Sequence, residues 1–320
     1  MEVDELRGNP LECNLTPINR NYNHQAMIDQ LITRYGFSQL GEGSFGVALA
    51  TENCVVKVVK NVNRCGELEK ERAVYQKIKA NPKSDTFFAK FPKYHLYNQL
   101  ESFCHFNMQK IWSPLSGYGD LYDDEAGYGH GFVAYNQEGT VGLVEEGKLM
   151  EMDQSNIYPI DRPGNLLHFY VNHFDSDLKE KLDNDQGILL GKDQLEKMFT
   201  QNIVELYTAA IGELLSFLIF DLFVIPNDIE VVLGTASKED RVVRPYILDF
   251  NEYDSFTDFS ENNIERIARS MYNKNGRFYF PNSGNQFFPF FYEGFTKDIN
   301  PIRREIKIKV LTKYSFLFTQ

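Results

Sequence analysis

Apolar and polar positions alternate in short runs over the first third of the chain and fall into helical spacing afterwards. Within Asn23 to Arg34, the residues Met27, Ile28, Leu31 and Ile32 recur at helical intervals, which predicts a short helix. Tyr35 to Leu40, Val47 to Ala50 and Cys54 to Val59 read as three strands, the last two joined by a tight turn at Thr51-Glu52-Asn53. After a turn at Asn61-Val62-Asn63 comes GELEKERAVYQKIKA, rich in strong helix formers, with Leu68, Val74, Tyr75 and Ile78 on roughly one face. This helix is expected to lie beside the third strand. Phe91 to Leu100 and Glu101 to Ile111 complete a set of five strands, with Pro92 confined to a strand start.

The second half has a different period. Residues 116 to 165 are rich in glycine, tyrosine and acids, with short hairpin signals at Phe132 to Tyr135 and Thr140 to Val144, and they read as a surface insertion. Asp123, Asp124, Glu125 and His130 within it read as solvated groups rather than a metal cluster, and His168 and His173 as core histidines. The longest apolar-periodic segment, Lys192 to Phe223, is expected to form a buried central helix that ends before Pro226. Val231-Val232-Leu233 and Tyr246-Ile247-Leu248 suit a hairpin with Asp228, Glu230 and Asp249 at its edges. A further helix is expected from Asn262 to Tyr272, followed by an aromatic-rich segment packed on the helical region.

Composition narrows the class. With 320 residues and 42% hydrophobic content, the chain can build one two-lobed domain or two small ones. A net charge of -12 and a pI near 5.1 argue against general nucleic-acid binding and against adsorption to acidic membranes. Leu214 to Ile225, the richest apolar stretch, is interrupted by Asp221 and reads as core, so no membrane span is expected. The first residues carry no secretory signal pattern, and the four cysteines have no zinc-type spacing. A reducing, cytoplasmic setting is expected, which is also compatible with an effector delivered into a host cell.

Candidate chemistry centres on GEGSFGVALATENCVVK, Gly41 to Lys57. Gly41, Gly43 and Gly46 allow positive φ and close approach, so backbone amides can point at phosphate oxygens. Phe45 at the tip is placed to close over them. Lys57 falls among valines, where an ammonium group is costly unless it meets an anion. A snorkelling lysine above a plain hairpin is the alternative.

GEGSFGVA followed by VVK resembles the glycine-rich loop and third-strand lysine of the protein-kinase superfamily, with a shorter linker between them. The resemblance implies an α+β, two-lobed protein-kinase-like fold. A small lobe of antiparallel strands plus one helix would span 23–112 and a larger, mainly helical lobe 113–320, after an N-terminal arm at 1–22. It implies ATP and Mg2+ as cofactors. Gly41, Gly43, Ser44, Phe45 and Gly46 would cover the phosphates and Lys57 would bind them. Glu71 would pair with Lys57, with Glu67 and Glu69 as alternates, and Met108 to Ile111, including Lys110, would meet the adenine edge. Ile247-Leu248-Asp249-Phe250-Asn251 resembles the family's metal-binding motif with Asn251 in place of glycine. Asp249 and Glu230 would then be the metal ligands. Ile225 stands where the family carries its catalytic aspartate, and Asp228 or Asp221 would have to substitute.

From Leu206 to Phe295, the run NDIEVVLG, ILDF and RFYFPNSGNQFFPFFYEGF also resembles an uncharacterised, mostly fungal kinase-like family whose members often carry an aspartate in place of Ile225. Two functions follow as expectations: an atypical ATP-dependent transferase, phosphoryl or nucleotidyl, acting on a protein or small-molecule acceptor, and a pseudokinase that binds nucleotide without turnover. Arg303, Arg304, Lys307, Lys309 and Lys313 form a basic strip, read as a solvated helix face or as a site for a phosphate-rich ligand.

Overall fold

Val47, Val56 and Val58 are buried because the strands that carry them lie at the middle of an antiparallel sheet. In the computed structural model the described residues are 24–42, 45–50, 54–95, 105–109, 111, 133–135, 141–143, 167–169, 171, 188–190, 201–236, 242–250, 252–273 and 276–319. The N-terminal sheet runs in the order β1-β2-β3-β5-β4. Its strands are β1 (Ser38–Glu42), β2 (Gly46–Ala50), β3 (Cys54–Val59), the two-residue β4 (Tyr94–His95) and β5 (His105–Gln109). The predicted strands at 91–100 and 101–111 are thus shorter among the described residues.

Helix α1 (His24–Tyr35) precedes the sheet and α2 (Cys65–Ala80) follows β3. The first strand begins at Ser38 rather than Tyr35, and the cause is a helix cap. Gly36 takes φ 68°, the Phe37 N–H donates to the Leu31 carbonyl at 3.1 Å, and both of those side chains are buried. Such a left-handed C-terminal cap needs glycine and uses an apolar contact across it. Helix α2 buries Leu68, Val74, Tyr75 and Ile78 as its spacing predicts, and Glu71 with them. Cys65 at its start is disulfide-bonded, which the reducing setting read from the cysteines does not account for.

The rest is largely helical around a small mixed sheet. The sheet order is β12-β11-β8-β9, made of β8 (Leu167–Phe169), β9 (Ile188–Leu190), β11 (Glu230–Gly234) and β12 (Arg244–Leu248), with β8 and β9 parallel. β6 (Val133–Tyr135) and β7 (Val141–Leu143) pair as the hairpin signals predict, whereas the rest of the 116–165 insertion lies outside the described residues. β10 (Val224–Ile225) pairs antiparallel with β13 (Asp254–Ser255). Helices α3 (Gln201–Phe220), α4 (Glu261–Tyr272), α5 (Gly276–Tyr279), α6 (Phe288–Thr296) and α7 (Pro301–Leu317) complete the chain. Asn300 caps α7 by accepting from the Ile302 and Arg303 amides, with Pro301 at the first helical position.

Helix α3 is long and apolar enough to cross a bilayer, yet 14 of its 20 residues are buried within the protein. It packs against α6 through two glycines. A Cβ on Gly212 would stand 2.5 Å from the Phe291 carbonyl oxygen, and one on Gly294 would collide with the Ala209 carbonyl. The two halves of the chain are joined at β12, where the Lys90 backbone donates to Pro245 at 2.9 Å and accepts from Ile247 at 3.0 Å. The Gln109 side-chain amide makes a second link, donating to the Ala236 carbonyl at 2.9 Å.

Because backbone rather than a flexible side chain faces Gly294, Gly294→Ala is expected to cost about 1–3 kcal/mol by forcing α3 and α6 apart. Urea unfolding should show a lower midpoint at unchanged slope; an unchanged midpoint would contradict the close packing.

Candidate functional site

Lys57 enters the site because β3 has Ala48 opposite it on β2 and Phe106 opposite it on β5, which fixes its place in the middle of the sheet. Its ammonium donates to Glu71 Oε2 at 2.9 Å and to Asp249 Oδ1 at 2.5 Å. Glu71 comes from the buried face of α2 and Asp249 from the end of β12, so three distant parts of the sequence meet at one cation. The Lys57 side chain is 16% exposed, Glu71 0% and Asp249 27%.

The charges account for the protonation behaviour. Burial opposes the charge on Lys57, but Asp249 and Glu71 outweigh it and hold its pKa above the ordinary lysine value. Burial pushes Glu71 up to about 7; the Asp249 charge adds to the rise, while Lys57 and the Phe250 amide oppose it. One cation between two carboxylates leaves an uncompensated negative charge, and the fully buried carboxylate is the one that resists it. Burial also raises the Tyr75 hydroxyl well above its usual range, helped by the charges of Glu71 and Asp249.

The backbone at this point is constrained. Asp249 has φ 68°, left-handed for a residue with a Cβ, and Asp228 has φ 55°. Phe250, fully buried, holds Asp249 in place through an edge-on contact with Tyr75 at 5.2 Å between ring centroids and a tilted one with Phe91 at 6.1 Å. In the glycine-rich segment, the Phe45 ring is buried beside two cations. Lys57 Nζ lies 5.0 Å and the Arg64 guanidinium 4.8 Å from its centroid.

The structure separates the three glutamates of α2. Glu67 pairs with Arg64 and Glu69 with Arg72, leaving Glu71 as the partner of Lys57. Gly41 lies in β1 opposite Ala48, and Gly46 opens β2, where a Cβ would collide with the Val58 carbonyl. Met108 is buried in β5 opposite Val55. Gly43, Ser44, Lys110 and Asn251 lie outside the described residues, as do Trp112 and His173. Glu230 opens β11 opposite Leu248, the residue before Asp249, and is half-buried, as is Asp228. Asn227 ties the Asp228 turn to the segment after Asp249, its side-chain amide donating to the Glu252 carbonyl at 3.0 Å.

Two substitutes for a catalytic aspartate are distinguished by their surroundings. Asp221 is engaged elsewhere, in ion pairs with Lys83 at 3.1 Å and Arg303 at 2.9 Å. Asp228 sits three residues past Ile225, which is 2% exposed in β10 and points into the core. The basic strip on α7 is mostly neutralised within the chain. Arg303 and Lys307 pair with Asp298, Lys309 with Glu305, and Lys313 with Glu261 and Glu265. Lys307 is buried, so the strip is not a simple solvated face.

Among the described residues no group of three His, Cys, Asp or Glu side chains converges on one point. Asp249 and Glu230, the two carboxylates expected to hold a metal, belong to no such group. That set suits a hard cation that keeps water and phosphate oxygens as its other ligands. Sequence reasoning passed over Arg64. A basic residue at a helix start opposes the helix dipole, and this was the available signal.

Removing the cation should expose the imbalance. Lys57→Met is expected to cost about 3–5 kcal/mol near neutral pH by leaving two carboxylates without their shared partner. Glu71 holds its proton longer in the folded chain than in the unfolded one. Its contribution to stability is complete below its ordinary value of 4.5 and is lost as pH rises through about 7. The Lys57→Met penalty, measured by urea unfolding, should therefore shrink toward about pH 5, and Glu71→Gln should flatten the wild-type fall in stability between about pH 5 and pH 8. A penalty independent of pH would contradict this arrangement. No family model and no curated protein matches the chain.

Proposed function

We propose that this chain is an atypical, kinase-like transferase that uses ATP with Mg2+, phosphoryl transfer being favoured over nucleotidyl transfer. The observation that carries the proposal is the ammonium of Lys57, borne by the third strand of an antiparallel sheet and hydrogen-bonded at once to Glu71 of the following helix and to Asp249 beyond a distant hairpin. A structural ion pair needs one carboxylate. A second one, half-exposed and on a left-handed residue, is the arrangement expected where anions and a metal are to be exchanged at the lysine. The order of elements, an N-terminal antiparallel sheet with a helix and then a largely helical region, supports a two-lobed kinase-like fold.

In this reading ATP supplies the transferable phosphoryl group and Mg2+ neutralises charge on its oxygens. Lys57 binds phosphate oxygens, and Glu71 keeps its ammonium in place from the buried side. Asp249 and Glu230 present carboxylate oxygens to the metal. The glycine loop closes over the phosphates and excludes water. Positioning and charge neutralisation supply most of the rate enhancement in phosphoryl transfer, so a weak base is tolerable. Asp228 is the nearest carboxylate in sequence to the position of the missing aspartate, and it is assigned the orientation of the acceptor.

A pseudokinase is the second reading, and the buried Ile225 favours it, since an apolar side chain in β10 cannot orient or accept a proton from a hydroxyl. Saturating ATP with Mg2+ at about 100 times Kd should stabilise the protein by about 2.7 kcal/mol under either reading. Absence of any thermal shift would remove both. Transfer of label from γ-labelled but not α-labelled ATP, abolished in Asp249→Ala, is the expected outcome for the transferase. Binding without transfer from either label would select the pseudokinase, and transfer surviving in Asp249→Ala would overturn the metal assignment.

A further inference from the structure

The lid tip and the start of α2 meet around a single ring. Phe45 is 6% exposed, and its carbonyl accepts the Lys60 N–H at 3.2 Å, so the tip is docked onto the chain just past β3. Lys57 and Arg64 both stack on that ring, at 5.0 Å and 4.8 Å from its centroid. Two cations thus meet at the Phe45 ring, where the sequence suggested only one.

Their order along the sheet is fixed by register. Met108 lies opposite Val55, Ala48 opposite Lys57, and Gly46 opposite Val59. At about 3.3 Å per residue, Lys57 stands about 7 Å from the Met108 end, and the lid tip lies about as far again in the other direction. Arg64 follows shortly after that, at the N-cap of α2. A ligand with its base toward Met108 and its first phosphates at Lys57 has its terminal phosphate directed toward Arg64.

Arg64 is also suited chemically. Its guanidinium is about one-third exposed, within reach of solvent, and it is held in orientation by Glu67 through contacts of 2.6 to 3.1 Å. An exposed pair three residues apart contributes little to stability. A guanidinium is better matched to two phosphate oxygens than an ammonium is.

We propose that Arg64 is a second phosphate-binding residue, reading the terminal phosphate of a nucleoside triphosphate while Lys57 holds the inner ones; this rests on the nucleotide-binding reading of the same site. The Phe45 ring contacts both cations, and Glu67 competes with the phosphate for Arg64.

The test is calorimetric titration of ATP, ADP and adenosine, each with Mg2+, into wild type, Arg64→Ala, Arg64→Lys and Glu67→Gln. Arg64→Ala should weaken ATP roughly ten- to a hundred-fold while changing adenosine less than about twofold, the scale of a charge-assisted hydrogen bond. ADP should lose less than ATP, Arg64→Lys should recover part of the loss, and Glu67→Gln should bind ATP as tightly as wild type or more tightly. A structural role for the pair predicts instead that Arg64→Ala and Glu67→Gln fall together, and that result overturns the proposal. Equal losses for all three ligands, or no loss, overturn it too, with nucleotide binding intact. If wild type binds none of the three, the nucleotide reading itself fails and takes this inference with it.

Discussion

One buried ammonium shared by two carboxylates organises this molecule. Lys57 cannot stand among valines without anions, and the anions come from two elements: Glu71 on α2, the helix that follows β3, and Asp249 at the end of β12. Each imposes a condition on its own element. Helix α2 must turn a carboxylate inward among Leu68, Val74, Tyr75 and Ile78, and the β11–β12 hairpin must end where Asp249 reaches β3. The N-terminal sheet and the helical region are therefore coupled through charge as well as through apolar contact.

The aromatic packing behind the site serves the same requirement. Asp249 is held left-handed by a neighbour, Phe250, that is fully buried and braced by Tyr75 and Phe91. Tyr75 lies one helical turn beyond Glu71, so a single face of α2 both supplies the carboxylate and braces the residue next to the other one. Farther away, Asp221 at the end of α3 is drawn into ion pairs with Lys83 and Arg303, which joins the segment after α2 to α7. Asp221 thus binds the frame together, whereas Asp249 faces the lysine.

Much of this arrangement was legible in the sequence, and the limits have physical causes. β3, α2 and the hairpin were readable because their apolar positions repeat with a clear period and because turns bound them. The resemblance called for a glutamate of α2, and the spacing from Glu71 to Val74 and Ile78 favoured Glu71 over Glu67 and Glu69. Their partners, Arg64 and Arg72, decide the matter in three dimensions. The start of β1 was misplaced because a cap at Gly36 depends on the Phe37–Leu31 contact rather than on β propensity. The α7 strip looked free because its counter-charges, Asp298, Glu261 and Glu265, belong to other parts of the chain. The mixed α+β order follows from the elements themselves; its kinase-like assignment is our proposal.

Two of the hydrogen-bonded attachments between the halves have a mechanical consequence. Lys90 is bonded into β12 on both sides of Tyr246, and the Gln109 side chain reaches the carbonyl of Ala236 just past β11. Both tether the N-terminal half to the hairpin that carries Asp249, so a movement of Lys57 away from Asp249 has to strain hydrogen bonds as well as separate charges.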